Sequence, residues 1–174
     1  QWKNRSAVPL INRLHAGLSG LKRQQATVLD HELVWLEGGN PEGTPVVLLH
    51  GFASNKENWL SLVPFLLKQH RLFVLDLPGW GESQFNANVP YGLDDQVARV
   101  AAWIENHVPG KAHVVGNSVG GLVSALLAGR HANLVRTLCL MNPAGGKGSD
   151  HTRFEAGLKE GRNPMILESL AGAH

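Results

Sequence analysis

The sequence predicts an α/β protein whose mostly parallel sheet is covered by helices. Three observations carry that prediction. Val46, Val47, Leu48 and Leu49, and again Leu72, Phe73, Val74 and Leu75, form continuous apolar runs, as strands buried on both faces require. Between such runs lie longer stretches with apolar residues at helical spacing. Glycine and proline punctuate the joins, so strand and helix alternate along the chain.

Taken in order, residues 9–20 suit a short leading helix ended by Gly17 and Gly20. Two extended segments follow, 26–30 and 32–37, closed by Gly38, Gly39, Asn40 and Pro41. After the run at 46–49 comes a helix with Trp59, Leu62, Val63, Leu66 and Leu67 on one face. Ser54 and Glu57 have capping-box spacing for its start, and Pro64 should kink or split it. The strand at 72–75 delivers Asp76 and the turn of Pro78, Gly79, Trp80 and Gly81. Residues 93–108 carry Leu93, Val97, Val100, Ala101, Ile104 and Val108 at helical spacing. Asp94 and Asp95 suit the positive end of that helix, and Pro109 and Gly110 stop it. A strand at 112–116, a helix over about 119–130 and a strand at 134–141 complete the pattern, with 46–49, 72–75, 112–116 and 134–141 expected as neighbours. Residues 150–174 read as helical, interrupted by Gly161, Arg162, Asn163 and Pro164.

The 174 residues, 43% apolar and 17% charged, suffice for one real core. Sixteen basic against fourteen acidic residues leave only +2, scattered rather than striped, which argues against a nucleic-acid partner. The single cysteine, Cys139, excludes an internal disulfide and, in the run Leu138 to Met141, reads as a buried, inert thiol. No stretch reaches the length of a membrane span. The first residues, Gln1, Trp2 and Lys3, are not an initiation site and carry no signal-peptide core. A removed leader or anchor, the compartment and membrane contact therefore stay open.

Gly116, Asn117, Ser118, Val119 and Gly120 match G-x-S-x-G directly between a predicted strand and a predicted helix. A nucleophilic serine here needs a sharp turn, and glycines two residues either side leave the room for it. The following helix aims its N-terminal amides at developing negative charge. The plain alternative is a glycine-rich turn with a capping serine; the strand-to-helix context favours the nucleophile. Acyl transfer also needs two backbone N–H donors for the oxyanion, one from Val119 and one from the loop after the 46–49 strand, where Phe52 stands and Gly51 permits close approach. His50, at the end of that strand, reads as a brace for the loop rather than as the general base. Trp59 and Trp103 read as core, and Trp80 as the tryptophan placed to touch substrate.

Together, His50-Gly51-Phe52, the run from Asp76 to Ser83, Gly116 to Gly121 and Asn142 to Gly145 resemble the α/β-hydrolase superfamily in order and spacing. The likeness runs from about residue 26 onward. It is nearest the bacterial lipase and monoacylglycerol-lipase branch, close to the meta-cleavage C–C hydrolases. It implies an α/β-hydrolase sheet with flanking helices, truncated at the start of a helical cap. The domains would be a helical extension at 1–25, the core at 26–149 and the start of the cap at 150–174. It further implies Ser118 as nucleophile, Phe52 and Val119 as oxyanion donors, and His50, Gly51, Gly116 and Gly120 as loop support; Asp76 ends a strand on the active-site side, where a triad acid could stand, but the resemblance implies a structural carboxylate for the 78–81 turn. Serine at 118 argues against the dehalogenase and epoxide hydrolase branches, which carry aspartate there. No cofactor or metal is implied.

The family orders its triad serine, acid, histidine, and nothing after Ser118 fits. His50 and His113 belong to strands leading into the site, His107 and His131 lie near helix ends, and His15, His31 and His70 precede the motifs they would join. Asp150, His151 and His174 fall in or beside the expected cap. The sequence thus reads as a truncated chain or one proteolytic piece, whose complementary C-terminal segment supplies the acid and histidine. Without them the 134–141 strand is a long apolar edge. The expected function is hydrolysis of a small acyl ester through an acyl-enzyme on Ser118. The alternatives are C–C hydrolysis of the meta-cleavage type and a non-catalytic ligand-binding module of the same fold.

Overall fold

The computed structural model describes residues 20–146. Contacts divide the chain into two compact units, Gln1–Ala144 and Gly145–His174, and the sheet and its helices belong to the first. The expected helices at 9–20 and 150–174 fall outside the described residues, apart from Gly20, which lies in a turn.

Six strands form one sheet: β1 (Leu21–Val28), β2 (His31–Gly39), β3 (Thr44–Leu49), β4 (His70–Leu75), β5 (Ala112–Asn117) and β6 (Val135–Met141). Their order is β1-β2-β4-β3-β5-β6. β4, β3, β5 and β6 run parallel as four neighbours, while the β1–β2 hairpin joins the β4 edge antiparallel. The four parallel strands thus stand side by side as their apolar runs predicted, although β6 takes the edge of the sheet and not a central place. The helical extension expected over 1–25 is corrected at 21–25, where Leu21 to Gln25 pair with Gly38 to Val34 as the first half of β1. Lys22, Arg23, Gln24 and Gln25 hide the strand signal because this stretch of the outermost strand is open to solvent on both faces, with only Gln24 half-buried, so no alternation is left to read.

β3 shows why the central runs are continuous. Val47 and Leu49 face one core with Phe73, Leu75, Trp103 and Leu127, while Val46 and Leu48 face the other with Leu72, Val74, Trp59 and Val63. The first layer is closed by two helices, α2 (Leu93–His107) and α3 (Val119–Arg130). The second is covered by a 3₁₀ turn (Lys56–Trp59) and the short helix α1 (Val63–Leu66). Pro64, in the first turn of α1, does split the expected helix. The capping box does not form: no side chain caps the 3₁₀ turn, and Ser54 Oγ instead accepts from Asn58 Nδ2 at 2.6 Å.

Cys139 corrects another expectation, for it is exposed. β6 is the outermost strand, and Leu138, Leu140 and Met141 are 37, 40 and 46% exposed beside it. An apolar run reports that a strand wants cover, and its place at the sheet edge decides whether it has it.

Candidate active site

The chain leaves β5 at Asn117 and enters α3 at Val119, with Ser118 alone making the turn at φ +52° and ψ −116°. A side chain resists that conformation at a cost of about 1–3 kcal/mol, so the surroundings must hold it. The Ser118 N–H donates to the Met141 carbonyl (3.0 Å), and its carbonyl accepts from Leu122 (3.1 Å) and Ala144 (2.9 Å). The Asn142 to Gly145 motif thereby latches the elbow. A side-chain carbon at Gly116 would run into the Gly120 carbonyl and Ser124 Oγ, and one at Gly120 into the Leu49 and His50 carbonyls. Both glycines are therefore needed for close approach. A Cβ at Gly51 would sit 3.2 Å from Ser118 Cβ, so the loop after β3 lies directly against the elbow.

Phe52 and Val119 line one apolar cavity of about 520 Å³ together with Leu77, Trp80, Phe85 and Tyr91. The Phe52 and Trp80 rings meet edge to face, centroids 4.9 Å apart, and both line that cavity.

His50 is buried and uses both ring nitrogens: Nε2 accepts from the Leu77 N–H (3.0 Å), and Nδ1 donates to the Gly51 carbonyl (2.8 Å). Because Nε2 accepts, the ring is the neutral Nδ1–H tautomer. Burial holds its pKa below the ordinary histidine value, against the opposing pull of the Gly51 carbonyl and Asp76. Both nitrogens are thus taken up by the backbone of Gly51 and Leu77.

Asp76, fully buried at the end of β4, receives the backbone N–H groups of Lys56 (2.7 Å) and Glu82 (2.8 Å) and the Lys56 ammonium (2.7 Å). It thus ties the turn through Pro78 to Gly81 to the loop after β3. Lys56 is the residue that sequence reasoning missed. Only 1% exposed, its Nζ also reaches Glu82 (2.8 Å) and Glu57 (3.0 Å). Burial alone would lower its pKa, but Asp76 and Glu82 outweigh that and hold it above the ordinary lysine value. No local signal marks it, because its partner Asp76 is twenty residues away.

No described side chain hydrogen-bonds the Ser118 hydroxyl. His113 does lie on the strand that leads into the elbow, but at the N-terminal end of β5, opposite Val46 and roughly 16 Å along the strand from Ser118. There Nδ1 bonds Thr137 Oγ1 at 2.6 Å. His107, the last residue of α2, packs against Trp35, and His31 is held between Asp30 and Tyr91. Among the described residues no cluster of three His, Cys, Asp or Glu side chains is placed to hold a metal, and no helix is long and apolar enough to cross a membrane.

A parallel sheet with a strained serine between strand and helix defines the α/β-hydrolase class. The family model described as alpha/beta hydrolase fold matches residues 44–169, and the chain belongs to that family. Among its relatives, human monoacylglycerol lipase ABHD6 is 33% identical over 146 residues, covering 81% of this chain and 43% of that protein. A Pseudomonas putida protein named as the dihydrolipoyllysine-residue acetyltransferase component of an acetoin cleaving system is 41% identical over 122 residues, 70% of this chain and 33% of that one. A bacterial membrane phospholipase A of known structure superposes with a TM-score of 0.87 at 31% identity, over 93% of this chain and 52% of its own. The chain thus spans a third to about half the length of these relatives.

Proposed function

We propose that this chain carries the nucleophile and oxyanion hole of a serine hydrolase that cleaves carboxylic esters of the lipase or monoacylglycerol type. The observation that carries the reading is Ser118 at φ +52° on the β5–α3 turn, next to Val119, which lines an apolar cavity with Phe52. Ser118 Oγ attacks the ester carbonyl, and the amides of Phe52 and Val119 take the developing oxyanion. The carbonyl re-forms as the alcohol leaves with a proton, and water then hydrolyses the acyl-enzyme. The lipase relative and the phospholipase structure support an acyl chain as the cavity's occupant, as does its aromatic and aliphatic lining.

The Ser118 proton needs an acceptor. In this reading a histidine, oriented by an acid, comes from a segment other than residues 20–146, the complementary C-terminal segment read from the sequence. His50 is already committed on both nitrogens.

The test uses the natural full-length protein and a fluorophosphonate probe. Ser118→Ala should abolish labelling and ester turnover, and persistent labelling rules Ser118 out. In a p-nitrophenyl ester series, each added methylene buried in the cavity contributes about 0.8 kcal/mol, so kcat/KM should rise up to about fourfold per carbon until the cavity is full.

A further inference from the structure

We infer that Lys56 is a positioning residue that locks the loop bearing Phe52 against the turn bearing Trp80, and so sets the Phe52 amide over Ser118. The inference rests on the oxyanion reading above and goes beyond it by assigning the loop's second anchor. The loop leaves β3 at His50, which receives the Leu77 N–H, and ends at Lys56, whose own N–H and ammonium hold Asp76. Leu77 and Asp76 are adjacent, so both ends of the loop are tied to one point at the end of β4. Glu82 closes the other side, donating its N–H to Asp76 and accepting from Lys56 Nζ with its carboxylate. Between the two anchors stand Gly51 against Ser118, Phe52 against Trp80, and Ala53 at φ +52°.

Stability does not account for this arrangement. A lysine is almost never fully buried, and apolar side chains of similar volume often replace a buried ion pair with no loss or with a gain in stability. What the cation supplies is geometry. It faces the Asp76, Glu57 and Glu82 carboxylates at 2.7, 3.0 and 2.8 Å, and it joins two loops that no strand pairing connects. A donor displaced by about 1 Å can cost on the order of 10²-fold in rate, so a loop with one anchor would bind substrate and still fail to stabilise the transition state.

The test compares Lys56→Met, the double variant Lys56→Met/Asp76→Asn and Glu82→Gln in the full-length protein. The double variant removes the ammonium together with its fully buried partner charge and leaves only the Glu57 and Glu82 carboxylates, 16 and 33% exposed, so it keeps a readout even where the single variant does not fold. Each is assayed for Tm, for kcat and KM on p-nitrophenyl butyrate, and for inhibition by an alkyl trifluoromethyl ketone, which forms the oxyanion adduct. The double variant should keep KM within about twofold while kcat and ketone affinity fall together by at least about tenfold. Glu82→Gln, at the partly exposed end of the network, should lower kcat about threefold with KM unchanged. Parent-like kcat and ketone affinity in the double variant, or losses that track KM and Tm, would overturn the assignment, as would an unchanged kcat in Glu82→Gln. Turnover surviving Ser118→Ala would instead overturn the hydrolase reading beneath it.

Discussion

Replacing His50 by alanine separates a brace from a base. Its imidazole is 1% exposed and makes two hydrogen bonds, with the Leu77 N–H at 3.0 Å and the Gly51 carbonyl at 2.8 Å. Alanine leaves both backbone groups without their partner inside the protein, at about 1–3 kcal/mol each, and adds a small cavity. The expected loss is on the order of 3–5 kcal/mol, read from urea unfolding followed by tryptophan fluorescence. His50→Gln, which offers one donor and one acceptor, should regain part of it. Turnover should fall only as far as the loosened loop lets Phe52 drift, and the protein should still label with a fluorophosphonate. The opposite pattern refutes the argument: stability within about 0.5 kcal/mol of the parent and no labelling at all would make His50 the general base.

Three further outcomes follow from the same geometry. Because His50 is neutral in the fold with a lowered pKa, the unfolded state takes up its proton first on acidification. Its contribution is therefore complete above the ordinary histidine value of 6.5 and is lost as pH falls toward the folded-state value. In His50→Gln the unfolding free energy should vary less with pH across that window, and an unchanged dependence would refute the assignment. Gly120→Ala should destabilise by about 1–3 kcal/mol, since its methyl meets the Leu49 and His50 carbonyls, whereas Gly129→Ala, with open space around it in α3, should stabilise by about 0.5–1 kcal/mol; equal unfolding midpoints would contradict the fit described for the elbow. The 174-residue chain by itself should hydrolyse p-nitrophenyl butyrate only at the residual level of an oxyanion hole, about 10³-fold over water, and full turnover would reveal a base within it.

Much of the site was legible in the residues. G-x-S-x-G between a strand and a helix placed Ser118, and the structure puts α3 at Val119–Arg130, the span its pattern predicted. His50 read as a brace because it ends a buried strand, and both its ring nitrogens are hydrogen-bonded to backbone groups of Gly51 and Leu77. These features depend on neighbours a few residues away, where backbone sterics and periodicity act. Lys22 to Gln25 misled for the complementary reason: where an outer strand is open to solvent on both faces, consecutive polar side chains give no alternation to read.

By itself the sequence determined the strands at 46–49, 72–75 and 112–116, the spans of α2 and α3, and where the chain makes its strained turn. Each follows from short-range apolar patterning and from glycine's freedom to approach other backbone. Only the tertiary structure decided that β4 lies between β2 and β3, that Cys139 stands exposed at a sheet edge, and that Lys56 sinks beside Asp76. Those outcomes depend on partners twenty or more residues apart, and a charge is buried only when folding brings its counter-charge to meet it.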